Sequence, residues 1–118
     1  MSDPADAVQV QLAKLRKKFG LALPEKISAI EAAVAALFAR PWDEQACAAA
    51  HRLAHSLAGS SGTYGFPEIG AAARAVEALL KQSLESRALL SPDTKTQIDR
   101  LTAGLRELAA DAARKVSA

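Results

Sequence analysis

The chain has 118 residues, a length that fits one compact domain with a real core. Half of it is hydrophobic but only 4% is aromatic, and alanine is abundant, a mix that favours helices packed through small side chains. Fifteen basic against 13 acidic residues leave a net charge of +2, too balanced to argue for nucleic acid, and the single Cys47 excludes an intramolecular disulfide and fits a reducing compartment.

The start, MSDPADAVQV, lacks the basic residues and apolar run of a signal peptide. No apolar stretch approaches the ~20 residues of a membrane span, and Glu31 interrupts the best candidate. A soluble cytoplasmic protein is expected.

Apolar spacing predicts five helical segments. The first, over residues 4–19, places Val8, Leu12, Leu15 and Phe19 on one stripe after Asp3-Pro4, and Gly20 ends it. The second begins near Pro24, carries Ile27, Ile30, Val34 and Leu37, and stops at Pro41. The third runs from an Asp43 N-cap to about Tyr64, with Gly65 as its C-terminal cap. The fourth opens at Pro67-Glu68 and uses Ile69, Ala73, Val76 and Leu80. The fifth starts at Ser91-Pro92-Asp93 and carries Ile98, Leu101, Leu105, Leu108 and Ala112.

Short connections make neighbours antiparallel. The expected architecture is all-α: one domain over residues 1–118, with an antiparallel four-helix bundle at 24–116. Residues 1–20 form an additional, accessory helix on its outside or end.

The stretch from His51 to Gly65 holds both histidines and three of the six glycines. Wound at about 100° per residue, it puts Ala46, Ala50, Leu53, Leu57, Ser61 and Tyr64 on one buried stripe. His55 falls almost opposite, facing solvent. His51 and Arg52 lie one turn before it; Ala58, Gly59 and Gly62 follow on the same face. Glycine inside a helix costs about 0.5–1 kcal/mol relative to alanine. The glycines either sit near the helix end, where that cost is small, or leave room for another protein to approach the ring.

Imidazole has a reference pKa of ~6.5, so near pH 7 it is largely neutral, and a neutral ring nitrogen is a nucleophile. No GxxxxGK[ST] loop or other glycine-rich nucleotide cradle is present. The ring can accept and release a group, and a partner must supply the rest of the chemistry.

His55-Ser56-Leu57-Ala58-Gly59, with small Ser61, aromatic Tyr64, Gly65, Ile69 and Val76-Glu77, resembles the histidine phosphotransfer (HPt) domains of two-component phosphorelays. The resemblance implies that His55 carries a phosphoryl group between receiver-domain aspartates. It implies a phosphocarrier without ATP-binding or kinase motifs, not an enzyme in its own right. Receiver domains of response regulators or hybrid sensor kinases are the implied partners, and they bring their own magnesium and lysine; this chain binds no cofactor. Docking would use His51, Arg52, Ala58, Gly59 and Gly62, with Ala48 nearby.

Ala58 stands where the family commonly has lysine. Arg52, Arg74 and Lys81 are candidate substitutes, and a non-reactive module that docks on receivers without exchanging phosphate is the alternative.

Other readings are structural. His51 and His55 have an i,i+4 spacing suited to zinc or haem, but no third ligand or CxxCH motif accompanies them, so no metal site is expected. Cys47 is expected as a small buried hydrophobe, Trp42 as a staple, Tyr64 in the core and Glu77 as a contact between helices. The Lys14-Leu15-Arg16-Lys17-Lys18 run reads as a solvated face, with a membrane or acidic partner the lesser reading. A monomer is expected.

Overall fold

The computed structural model describes residues 3–87 and 90–118; Met1 and Ser2, included in the expected accessory helix, lie outside the described residues. Four helices follow one another: α1 (Pro4–Phe38), α2 (Glu44–Thr63), α3 (Pro67–Ser86) and α4 (Pro92–Ser117). Each packs on its neighbours in the chain and α4 closes back on α1. Cys47 of α2 meets Leu80 of α3 near one end, and Ser61 meets Gly70 near the other, so α2 and α3 run antiparallel. Gly20 meets Val116 and Phe38 meets Lys95, which gives α1 and α4 the same relation. The fold is an antiparallel four-helix bundle.

The expected caps are present. Asp43 Oδ1 accepts from the Ala46 N–H at 3.0 Å, and Ser91 Oγ from the Thr94 N–H at 3.1 Å. At the end of α2, Gly65 turns left-handed with φ +82°. The Phe66 N–H then donates to the Ser61 carbonyl at 2.8 Å and the Gly65 N–H to the Gly62 carbonyl at 3.4 Å.

The stripes of α1 from Ile27 onward and of α3 are buried as spaced. On α4, Ile98, Leu105 and Ala112 are buried, while Leu101 and Leu108 pack at the margin and Thr102 and Ala109 share the interior. Trp42 and Tyr64 pack half-buried against this core, and Tyr64 stacks on Phe19 with ring centroids 4.9 Å apart. Cys47 is buried, and burial pushes its thiol pKa up.

The division of the first 38 residues into two helices is corrected: α1 runs unbroken through Gly20 and Pro24. Gly20 is not a stop. A Cβ placed there would stand 2.9 Å from Val116 Cγ2 and 3.3 Å from the Phe66 ring, so glycine permits a close crossing of α4. Pro24 lacks an N–H for the Gly20 carbonyl. The helix continues past it because Phe19, Leu23, Ile27 and Ile30 are all buried on one face, and packing overrides local propensity. Across that junction Arg106 of α4 donates to the Pro24 carbonyl at 3.3 Å and to Ser28 Oγ at 2.8 Å, and pairs with Glu31.

The accessory segment packs on the bundle only at its end, where Phe19 and Gly20 are buried and the Arg16 guanidinium lies 4.5 Å over the Phe66 ring. Residues 3–18 are exposed throughout, and Val8 and Leu12 remain 57% and 50% accessible.

Substituting Gly20→Leu is expected to force α1 and α4 apart and destabilise the bundle by about 1–3 kcal/mol. Chemical denaturation measures this, and an unchanged midpoint would contradict the close crossing.

Candidate functional site

The helix that carries His55 is turned relative to its expected orientation. Cys47, Ala50, Ala54, Leu57, Ala58 and Ser61 form its buried set, whose centre lies about 50° around the helix from the expected stripe. The cause is α3. A Cβ on Gly70 would meet the Ala58 carbonyl at 3.4 Å and Ser61 Cβ at 3.6 Å, so the two helices approach through small residues. Leu53, by contrast, is left 38% exposed over the groove towards Lys26 and Ala29 of α1.

Two consequences follow. Ala58 is only 3% accessible, which corrects its expected place in the docking face: it lies under α3. His55 is swung from the far side of α2 to the flank beside α3. There its side chain remains 72% exposed, and Nδ1 meets Glu77 Oε2 in a short hydrogen bond.

Glu77, expected as a contact between helices, makes that contact with the ring of His55. It accompanies Arg74, Ala78 and Lys81 at i, i+3, i+4 and i+7 spacing, which defines one flank of α3. The same carboxylate oxygen lies 3.9 Å from His51 Nε2, and the two imidazoles are nearly parallel, 12° apart, at 6.2 Å. His51 is half-buried and Arg52 exposed.

An ionised carboxylate only accepts hydrogen bonds, so the proton of a neutral His55 ring resides on Nδ1. Nε2 then carries the lone pair. The hydrogen bond also fixes the direction of the ring on a rigid helix.

The surface around this ring has two unlike sides. One hollow is lined by His51, His55, Arg74, Glu77, Ala78 and Lys81. The other, between the ring and the end of α2, is lined by His55, Ser56, Gly59, Ser60, Thr63 and Tyr64. Gly59 and Gly62 are exposed, and a Cβ at either would meet no atom within 4 Å. Packing inside the domain does not require these glycines. Among the described residues, no group of three or more His, Cys, Asp or Glu side chains is arranged to hold a metal ion.

The Hpt domain family model matches residues 14–111. The chain belongs to the Hpt domain family. Hpt domains are histidine-containing phosphotransfer modules of phosphorelays, phosphocarriers that interact with receiver domains. No curated protein and no solved structure gives a significant match to the chain. No described helix is long and apolar enough to cross a membrane.

Glu77→Ala is expected to release the His55 tautomer. Two-dimensional 15N NMR of the imidazole should place the neutral-ring proton on Nδ1 in the wild type and shift it towards Nε2 in the variant. An Nε2–H ring in the wild type would contradict the assigned hydrogen bond.

Proposed function

We propose that His55 accepts a phosphoryl group from a receiver-domain aspartyl phosphate and passes it to a second receiver aspartate. The observation that carries this reading is an exposed ring held through Nδ1 by Glu77, which leaves Nε2 as nucleophile.

In the forward step the Nε2 lone pair attacks phosphorus, an N–P bond forms, and the P–O bond to the aspartate breaks, returning a carboxylate to the receiver. The ring keeps its Nδ1 proton and becomes a phosphorylated imidazolium. The Glu77 carboxylate faces that proton and counters the positive charge that develops, a fixed electrostatic contribution of the kind that dominates group transfer. The receiver supplies its own magnesium and the remaining stabilisation.

Ala58 supports neither a cation nor a docking contact in this scheme. Arg74 and Lys81 line the hollow beside the ring and take the role of the family's usual lysine towards the phosphoryl oxygens. Their presence favours a reactive carrier over a module that only docks. His51, Arg52, Gly59 and Gly62 form the docking margin, in which the glycines allow a receiver surface to come close.

Incubation with a phosphorylated cognate receiver is expected to label the wild-type chain and a His51→Gln variant with acid-labile, base-stable phosphate. His55→Gln should keep its helicity and take no label. Undiminished labelling of that variant would remove His55 from the mechanism, and receiver binding without labelling of the wild type would favour the docking-only module.

Gly59→Phe is expected to fold normally, because the position faces open space, and to slow transfer at least roughly tenfold, about 1.4 kcal/mol. Stopped-flow transfer at wild-type rate by a folded variant would show that close approach at Gly59 is unimportant.

A further inference from the structure

The first four turns of α1 pose a problem that phosphotransfer does not explain. Residues 3–13 precede the family match, and residues 3–18 are exposed. A helix in water on all sides is ordinarily polar all round. Here Ala5, Val8, Leu12 and Leu15 recur at alternating intervals of three and four residues, and the series runs on into buried Phe19. That alternation is the a/d seam of a coiled coil. It is the same face of α1 that the bundle covers from Phe19 onward, left uncovered for about 22 Å.

The geometry points to self-association: the first four turns of α1 from two copies pair antiparallel through Ala5, Val8, Leu12 and Leu15. A parallel pair is blocked sterically, because beyond Phe19 the seam of each copy is already occupied by its own bundle. In the antiparallel pair each bundle lies beyond the other's first turn, and the two copies extend end to end.

The apolar layers select a register. With Val8 of one copy level with Leu12 of the second, Ala5 comes level with Leu15, so a small residue faces a large one in the outer layers. The same register brings Asp3 and Asp6 level with Lys17 and Lys14 of the second copy. These charges lie on the outer faces, so their attraction is long-range and screened by salt, and it orients the pair more than it tightens it. The helix macrodipoles also oppose in this arrangement. An anionic membrane fits this face less well: basic residues occupy only positions 14–18, and the first two turns carry acid alone. The proposed pair departs from the monomer expected from sequence.

Sedimentation equilibrium of the full chain over roughly 5–500 μM is expected to show a reversible monomer–dimer equilibrium. Leu12→Glu should be monomeric throughout, with the thermal melting of the bundle unchanged. Mixing a Val8→Cys chain with a Leu12→Cys chain under mild oxidation should trap the mixed 8–12 disulfide in preference to 8–8. A wild-type chain that stays monomeric over this range would overturn the proposal, as would preferential 8–8 linkage. So would a monomer that instead binds vesicles of anionic phospholipid through Leu12.

Discussion

The close approach of α2 and α3 through small side chains is the constraint on which the site depends. Gly70 on α3 lies against the backbone of Ala58 and the side chain of Ser61, and Ala54 and Ala73 are buried within the same pair of helices. A larger residue at Gly70 would have to displace the Ala58 carbonyl or Ser61 Cβ. The approach fixes the rotation of α2 about its axis, and the rotation decides what His55 meets. On the outermost line of the helix the ring would stand alone in water. On the flank it meets a carboxylate that orients a surface imidazole, as the proposed attack on phosphorus requires.

In the proposed transfer, phosphate binding and access for a protein partner make opposing demands, and the two hollows would divide them. Arg74 and Lys81 line the hollow on the α3 side of the ring. Gly59, Ser60 and Thr63 lie on the other side, where bulk is low. Position 58 lies buried beneath α3, whereas the cations beside the ring, Arg74 and Lys81, stand on the facing helix. The helix-weakening glycines at 59 and 62 serve no contact inside the domain.

Much of the fold was legible in the sequence where signals were local. Asp43, Ser91 and Gly65 cap helices as their types demand, and the Ile/Val/Leu stripes of α3 and of α1 from Ile27 onward face inward as spaced. Signals that are local in form but tertiary in cause misled. Gly20 has the look of a helix stop and is a helix crossing; Pro24 has the look of a start and is an interior position held by packing and by Arg106. The alanines of α2 caused the rotation error, because alanine reads alike on a buried face and an exposed one. Leu53 outweighed Ala54 and Ala58 in apolar periodicity, whereas in the fold the smaller residues are the buried ones. The exposure of the His55 ring was legible from helical spacing. Glu77 was expected as a contact between helices, but its partner was not legible, because that lies in a distance across two helices rather than along one.

The position of the phosphoryl group on the ring tests the account most directly. Phosphorylate the chain with a receiver and locate the bond by 31P–15N correlated NMR. The account predicts phosphorus on Nε2 of His55, with the Nδ1 proton still present and bonded to Glu77. Phosphorus on Nδ1, or on His51, would contradict it.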